Sequence, residues 1–234
     1  MTRSNSIDSD RISLDTWESV AHSELPYFSD QSKTLGDIQA ISSILSHDNS
    51  ILDLGCGWGR ITTALAKRGF DVRGIDLPPN LIHYARKSEK EQGLHIQYDT
   101  GSMLDLPYDG SYFDRIVCLW GVLSHLLLIK DQVEAVNEMY RVLKPGGLAF
   151  IEPGNGESKR YKKIRSEQGF GRGNRLFILK FKDFRNTLYL HDRSTLGCIG
   201  ERSRFQSHRV KFQNINHKRR IVMHLYKEEM DDLP

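Results

Sequence analysis

The sequence has few cysteines, and none of them belongs to a recognisable motif. Cys56, Cys118 and Cys198 are the only three among 234 residues, and they form neither a CxxC pair nor a His-Cys cluster. A disulfide framework and a zinc site both need closely matched cysteine spacings, so neither is expected, and no metal is predicted. This cysteine usage favours a reducing, cytoplasmic compartment.

Long apolar runs are absent as well. No stretch of about 18 apolar residues occurs, and the first ten residues are polar. Neither a membrane span nor a secretory leader is therefore predicted. With 38% apolar and 27% charged residues, the composition is typical of a globular protein with a buried core. The length suits one domain rather than two.

Acidic residues are scarce in one part of the chain. Residues 155–220 contain 18 Lys and Arg against 5 Asp and Glu, although the net charge of the whole chain is only +3. A concentrated field of one sign attracts ligands of the opposite sign. The basic segment therefore indicates either an anionic partner or a solvated basic surface, and the sequence leaves both interpretations open.

Short apolar runs alternate with segments of helical periodicity in the middle of the chain. The predicted strands are 51–54, 71–75, 94–98, 113–119 and 147–152, and the predicted helices are 58–68, 79–91 and 131–142. Such alternation is typical of βαβ units, which form a mostly parallel sheet with helices on both faces. The predicted fold class is α/β.

The two ends of the chain follow other patterns. Residues 1–12 are polar and predicted to be disordered, whereas 15–46 predict helices interrupted near Pro26. After the alternating region we predict a β-pair (175–181 and 186–190), a helix capped by Asp192 (192–201) and a closing antiparallel pair (207–214 and 219–227). The predicted units are a helical lid with a disordered start (1–46), a core (47–153), a cap insertion (154–190) and a C-terminal part of the core with a loose tail (191–234).

A glycine-rich turn follows the first predicted strand. Its spacing is Gly55-x-Gly57-x-Gly59, and Arg60 stands where a dinucleotide-binding pattern requires the third glycine. Asp53, two residues before the first glycine, would repel a pyrophosphate by about 1 to 4 kcal/mol at contact distance. The same carboxylate would attract a sulfonium or an ammonium. The turn therefore favours a cationic adenosyl ligand over a dinucleotide.

A second carboxylate, Asp76, ends the second predicted strand in Gly74-Ile75-Asp76-Leu77. An acidic residue at this place can accept hydrogen bonds from both ribose hydroxyls. The alternatives are that Asp76 caps the helix beginning near Leu77-Pro78 and that the glycines form only a tight turn. Taken together, the turn and Asp76 favour an adenosine-binding site.

Four segments make the chain resemble the class I S-adenosylmethionine-dependent methyltransferase family, over about residues 45–155. They are Leu52-Asp53-Leu54-Gly55-Cys56-Gly57-Trp58-Gly59, Gly74-Ile75-Asp76-Leu77, Leu106-Pro107-Tyr108-Asp109-Gly110-Ser111-Tyr112-Phe113-Asp114 and Arg141-Val142-Leu143-Lys144-Pro145-Gly146-Gly147. The resemblance implies a Rossmann-like, doubly wound, mostly parallel seven-stranded sheet with an antiparallel C-terminal strand pair. It also implies S-adenosyl-L-methionine as the methyl donor.

The same resemblance implies a set of donor-binding residues. They are Tyr27, Asp53, Gly55, Cys56, Gly57, Gly59, Asp76, Leu77, Ser102, Met103 and Leu119. Asp53 and the glycines would line the methionine side of the donor, Asp76 would bind the ribose, and Tyr27 would reach the donor from the lid. Family members usually contact the adenine through an Asp followed by a small residue. Ser102 replaces that carboxylate by a hydroxyl, while Met103 still offers a backbone N–H.

The chemistry of methyl transfer does not require a catalytic motif. The reaction is an in-line displacement, so holding donor and nucleophile in line supplies much of the rate. A general base is needed only where the nucleophile is protonated. We predict His125 and Glu152 as catalytic residues, because both follow strands at the carboxyl edge of the sheet, where ligands bind in open α/β folds. Packing is the alternative for His125, and a solvated strand-end carboxylate is the alternative for Glu152.

The acceptor is predicted to be nitrogen or oxygen of a small molecule enclosed by the cap. The basic residues of the cap suit a molecule that bears a carboxylate or a phosphate. RNA or a protein is the alternative acceptor if residues 157–175 form an open basic face rather than a pocket wall. A third hypothesis is a non-catalytic donor-binding partner protein. The sequence does not indicate the oligomeric state.

Overall fold

The structure is a computed structural model that describes residues 7–18, 31–169, 175–181 and 184–229. Its helices are α1 (Ser9–Glu18), α2 (Gln31–Ile41), α3 (Arg60–Ala66), α4 (Pro79–Gln92), α5 (Ile129–Val142), α6 (Lys159–Glu167) and α7 (Arg193–Arg202), with 3₁₀ turns at Ser42–Ile44 and Val122–His125. Its strands are β1 (Ser50–Leu54), β2 (Asp71–Asp76), β3 (Gln97–Thr100), β4 (Phe113–Cys118), β5 (Leu143–Ile151), β6 (Leu176–Phe181), β7 (Phe184–Tyr189), β8 (Ser207–Ile215) and β9 (Lys218–Tyr226).

Seven of the strands form one sheet in the order β3-β2-β1-β4-β5-β9-β8. The first five strands in this order run parallel, and β9 pairs antiparallel with both β5 and β8. Ile51 to Leu54 are all buried, as expected for a central strand that helices cover on both faces. The predicted Rossmann-like sheet with an antiparallel C-terminal pair is therefore confirmed.

Most predicted boundaries in the core agree with the structure to within two residues, but two strands begin elsewhere. Strand β3 starts at Gln97 rather than 94, because its pairing with β2 begins there, with Arg73 opposite Gln97. Strand β5 starts at Leu143 rather than 147, because Leu143 already pairs with Phe113 of β4. Both shifts come from contacts that periodicity does not encode.

The prediction of disorder for residues 1–12 is wrong for its last part, since α1 begins at Ser9. The Ser9 hydroxyl accepts a hydrogen bond from the backbone N–H of Leu127 at 3.0 Å and donates one to Asp131 at 3.1 Å. These tertiary contacts fasten a polar segment that composition alone assigns to a loose end. The predicted break near Pro26 lies outside the described residues.

The cap insertion contains a hairpin and a helix. Strands β6 and β7 pair antiparallel, from Leu176 opposite Tyr189 to Phe181 opposite Phe184, so the second strand begins two residues earlier than predicted. Helix α6 was not predicted, because few of its residues are apolar. Two of those, Tyr161 and Ile164, pack against the apolar face of the hairpin. Asp192 caps α7 by accepting from the Thr195 N–H at 2.9 Å, as predicted.

Two apolar clusters fill the space between sheet and helices. One includes Ile116, Val136 and Met139, and the other includes Ile41, Leu65 and Phe150. No helix in the described parts of the chain is long and apolar enough to cross a membrane. Within the same residues, no group of three or more His, Cys, Asp or Glu side chains is arranged to hold a metal ion.

Candidate active site

The glycine turn lies between β1 and α3. Gly55, Gly57 and Gly59 have φ values of 77°, 58° and 83°, a region that side chains with a Cβ rarely adopt. A Cβ on Gly55 would lie 2.3 Å from the Val122 side chain, whereas one on Gly57 would meet nothing within 4 Å. The backbone of Gly57 therefore faces free space at the carboxyl edge of the sheet, where a ligand can approach it closely.

Two buried carboxylates flank this turn. Asp53, on β1, is 2% exposed and accepts a 2.6 Å hydrogen bond from the Thr62 hydroxyl on α3. Asp76, at the end of β2, accepts from the backbone N–H groups of Gly57 and Leu77, at 2.6 and 2.7 Å. Burial raises the pKa of both carboxyl groups to about 6. Neither forms an ion pair with a described residue, so the turn is poised to bind a cation.

The interpretation of Asp76 as a helix cap does not hold in the structure. Helix α4 has Pro78 as its N-cap, without a side-chain capping bond. Each oxygen of Asp76 receives one backbone N–H and keeps lone pairs for a further donor. The arrangement suits a carboxylate that binds the two hydroxyls of a ribose.

One cavity collects most of the predicted donor-binding residues. Those on its wall are Asp53, Gly55, Cys56, Gly57, Asp76, Leu77, Met103 and Leu119. Gly59 and Ser102 are not among the lining residues, and Tyr27 lies outside the described residues. Burial raises the pKa of the Cys56 thiol well above its usual range, which agrees with a small filler and not with a nucleophile.

The two predicted catalytic residues occupy different positions. His125 lines the cavity, where its ring lies 5.8 Å from the ring of Trp17, and burial lowers its pKa to about 4. The imidazole is therefore neutral at pH 7 and keeps a lone pair. Glu152 does not line the cavity. Its carboxylate accepts from the Trp120 N–H at 3.2 Å and pairs with Arg220 at 2.8 Å, and burial raises its pKa to about 7.

Trp120 forms one wall of the cavity and is held by an arginine cluster, which comprises Asp37, Arg60, Glu152 and Arg220. Its indole N–H donates to Asp37 at 2.6 Å, and the Arg60 guanidinium lies 4.3 Å from the ring centroid. Asp37 also pairs with Arg60 at 2.9 Å and with Arg220 at 3.2 Å. The cluster thus fixes an aromatic side chain whose backbone has a left-handed φ of 61°.

Sequence reasoning predicted an N-terminal helical lid but missed the polar residues of α1 that line the cavity. Ser9, Asp10, Ser13 and Trp17 all line it from one side of this helix. The spacing of these residues matches one helical face, but only Trp17 is apolar, so no amphipathic pattern marks the face. Arg60 and Trp120 were missed as well, because the partners that orient them are distant in sequence.

Comparisons with known proteins show which family this region resembles. Residues 51–147 match the methyltransferase domain family. A ubiquinone biosynthesis O-methyltransferase from Coxiella burnetii is 34% identical over 111 residues, which are 47% of this chain and 46% of that protein. The chain therefore spans less than half the length of the curated relatives it matches.

Two solved structures show the same fold. A SAM-dependent methyltransferase from Methanosarcina mazei has a TM-score of 0.67 and 24% identity, covering 82% of this chain and 98% of its own. The magnesium protoporphyrin IX methyltransferase from Synechocystis PCC 6803, solved with bound SAH, has a TM-score of 0.68 and 15% identity, covering 94% and 100%. The four sequence segments, the sheet order and the matched region agree: residues 51–147 match a methyltransferase domain, and the described chain has the fold of these two methyltransferases.

Proposed function

We propose that this protein transfers a methyl group from S-adenosyl-L-methionine to an oxygen or nitrogen atom of a small molecule that enters the same cavity. One observation carries the proposal. A single cavity joins the glycine turn, Asp53 and Asp76 to a second wall formed by Trp17, Trp120 and His125. A donor and an acceptor bound against these two walls would lie next to each other, as an in-line displacement requires.

The residues at the first wall fit the donor. Asp53 supplies a buried negative charge near the sulfonium, and Asp76 binds the ribose hydroxyls. Gly57 lets the backbone approach without a side chain in the way, and Leu77, Met103 and Leu119 complete the wall. We keep Tyr27 as a predicted contact. When bound, the donor supplies a methyl group on a good leaving group, so the protein has only to align and desolvate the reactants.

The second wall favours an aromatic or apolar acceptor over an anionic one. Trp17, Trp120 and Leu126 line it, and Arg60 is the single cation among the described lining residues. Arg60 already pairs with Asp37 at 2.9 Å, so little positive charge remains for a carboxylate or phosphate of the acceptor. No described residue of the cap insertion lines the cavity. The O-methyltransferase among the relatives supports oxygen as the acceptor atom.

His125 is the residue we assign to orient the attacking atom of the acceptor. It lines the cavity, and its pKa of about 4 keeps the imidazole neutral across the physiological range. It can accept a hydrogen bond from a hydroxyl or an amine of the acceptor and orient the attacking atom. Glu152 acts as a positioning residue, because its carboxylate holds the backbone of Trp120 from behind the wall.

The experiment has a binding step and a transfer step. Calorimetry should show that S-adenosylmethionine and S-adenosylhomocysteine both bind, and no binding of either at millimolar concentration would refute the proposal. Release of S-adenosylhomocysteine in the presence of phenols, catechols and aromatic amines should then identify the acceptor. Donor binding without transfer to any acceptor, small or large, would indicate a non-catalytic donor-binding protein.

The His125→Ala variant tests this assignment. We expect kcat to fall about tenfold with little change in donor affinity, since the variant loses one hydrogen bond that orients the attacking atom. His83 is an exposed histidine on α4, and His83→Ala is the matched control. If His125 only packs against Trp17, the variant would lose stability while its kcat stayed near that of the wild type.

A second candidate function, methylation of RNA, rests on a different observation. Lys159, Arg160, Lys162 and Lys163 of α6 are exposed, and none of them lines the cavity. They form an open basic face, which is the arrangement expected if the acceptor is a macromolecule. Transfer of labelled methyl groups to RNA should fall steeply with salt if this face binds phosphates. Replacing the four residues by Ala should abolish that transfer and leave small-molecule methylation unchanged.

A further inference from the structure

The carboxylate of Asp10 belongs neither to the glycine turn nor to the wall formed by Trp17, Trp120 and His125. It lies on the cavity wall and accepts a 2.6 Å hydrogen bond from the hydroxyl of Ser102. The same hydroxyl oxygen accepts the backbone N–H of Leu104 at 3.0 Å. The hydroxyl proton of Ser102 therefore points toward Asp10. This hydrogen bond uses one of the roughly four acceptor sites of the carboxylate and leaves the others for a ligand.

Helix α1 holds Asp10 in place from both ends. At its start, Ser9 bonds to the Leu127 backbone at 3.0 Å and to Asp131 at 3.1 Å. At its end, the side-chain amide of Asn80 donates to the carbonyl of Trp17 at 3.0 Å. Because the helix is fastened to the loop before α5 and to α4, Asp10 is a fixed part of the cavity.

The position of Asp10 relative to Asp76 indicates what it faces. Strands β2 and β3 are parallel neighbours, with Asp76 opposite Thr100, so residues 101–103 lie beside the end of β2. A base attached to a ribose at Asp76 would reach Gly101 and Met103, which both line the cavity. The backbone N–H of Met103 donates to no described residue, whereas the oxygens of Asp10 can accept further hydrogen bonds.

Adenine presents an amino group that donates and a neighbouring ring nitrogen that accepts. An acceptor carboxylate next to a free backbone N–H matches this pair of groups. We propose that Asp10 accepts the hydrogen bond of the adenine amino group, with the Met103 N–H donating to the ring nitrogen. Related proteins usually have an Asp at the position of Ser102, and in this chain Asp10 of α1 supplies that carboxylate instead. Helix α1 thereby becomes part of the donor site. This inference rests on the proposed function.

A pair of ligands that differ only at this edge tests the proposal. S-inosylhomocysteine carries a carbonyl and a ring N–H where S-adenosylhomocysteine carries the amino group and the bare nitrogen. We expect the wild type to prefer the adenosyl ligand by about tenfold or more, since hydrogen bonds to charged groups are worth at least that factor. In Asp10→Asn the ratio of the two dissociation constants should fall toward one, because the amide can turn its N–H toward the carbonyl.

Asp15→Asn is the matched control. It makes the same change on the same helix, at an exposed side chain whose partner is Arg11, and should leave the ratio unchanged. Ser102→Ala provides a second variant that keeps the carboxylate but loses its orientation, and a smaller drop in the ratio is expected. A merely structural role of Asp10 would weaken both ligands equally.

The failures can be told apart. If the wild type binds neither ligand, the proposed function and this inference both fall. If the wild type binds S-adenosylhomocysteine but Asp10→Asn and Ser102→Ala keep the wild-type preference, only the assignment of Asp10 is overturned.

Discussion

Two adjoining regions of the molecule contain buried carboxylates. In one region the carboxylates form ion pairs with arginines, and in the other they form none with a described residue. Asp53 and Asp76, the donor pair, flank the glycine turn and form no ion pair with a described residue. Asp37 and Glu152 lie in the arginine cluster, where Arg60 and Arg220 pair with them at 2.8 to 3.2 Å. Asp53 and Asp37 are equally inaccessible, at 2% exposure each.

The difference separates a binding site from a supporting structure. An ionised carboxylate in a buried place is costly unless a cation compensates it. The arginine cluster provides its own cations and holds Trp120, although burial still raises the pKa of Glu152 to about 7. In the donor pair neither carboxylate has an ion-pair partner among the described residues, although the charge of Arg60 acts on Asp53 from a distance, and burial raises both pKa values to about 6. A sulfonium ligand would complete that region.

The largest effect should come from breaking the arginine cluster. Asp37→Ala removes the buried carboxylate that accepts from Arg60, Arg220 and the Trp120 indole, and leaves two partly buried guanidinium groups without this partner. We expect a loss of about 3 to 5 kcal/mol in the free energy of unfolding, measured by urea denaturation. Asp15→Ala, at an exposed site on α1, should stay within about 0.5 kcal/mol. A loss below 1 kcal/mol for Asp37→Ala would mean that the cluster does not hold this part of the fold.

Removing one member of the donor pair should affect binding more than folding. Asp76→Ala should weaken S-adenosylhomocysteine binding by about 1 to 3 kcal/mol through the lost ribose hydrogen bonds, as measured by calorimetry. Asp71 begins the same strand at the opposite edge of the sheet and is exposed, so Asp71→Ala is the control. Unchanged affinity in Asp76→Ala would overturn the assignment of the ribose.

Neutralising the other member should change stability and affinity in opposite directions. Asp53→Asn keeps an oxygen that can accept from Thr62 but removes the buried charge. Since the pKa of Asp53 is raised from 3.8 to about 6, the ligand-free variant should gain on the order of 1 to 2 kcal/mol at pH 7. Its affinity should fall more for cationic S-adenosylmethionine than for neutral S-adenosylhomocysteine. An equal fall for both would show that Asp53 acts by shape and not by charge.

The smallest expected effect is a pH dependence of the same origin. Below about pH 6, Asp53 and Asp76 become protonated in the ligand-free protein, so S-adenosylmethionine should bind more weakly at pH 5 than at pH 7. The pKa of both carboxyl groups is higher in the folded protein than in the unfolded chain, so between about pH 4 and pH 6 the folded state binds more protons. The contribution of these groups to the free energy of unfolding therefore decreases as pH rises through this range. Titration of affinity and of unfolding free energy against pH measures both trends. In the Asp53→Asn variant the affinity for S-adenosylmethionine should change less with pH.

Much of the donor region could be predicted because its residues are close in sequence. The glycine turn directly follows β1, and Asp76 ends the next strand, so a parallel sheet brings them together wherever the chain alternates strand and helix. The open basic face on α6 could not be predicted, since no pattern in the sequence says whether a charged segment covers a cavity or faces solvent. The preference for an anionic acceptor followed from that segment, and the cavity wall does not support it.

The contacts between residues that are distant in sequence could not be predicted, because no local pattern encodes them. Asp10, on α1, bonds to Ser102 only because of the way α1 packs in the folded chain. Asp37, on α2, contacts Trp120 and Arg220 of β9 for the same reason. No local rule of spacing relates such residues. Glu152 illustrates the limit: its place at the end of β5 was predicted, but its partner Arg220 lies 68 residues away and turns it from the cavity toward the cluster.

The sequence by itself predicted the fold class and favoured a cationic adenosyl ligand at the glycine turn, and its resemblance to a known family implied S-adenosylmethionine as that ligand. It did so because periodicity, glycine spacing and a strand-end carboxylate act over a few residues. The tertiary structure alone decided which buried carboxylates form ion pairs with described residues, which side chains line the cavity, and that α1 lines one side of it. Those features depend on the distances between residues far apart in the chain, which only packing sets.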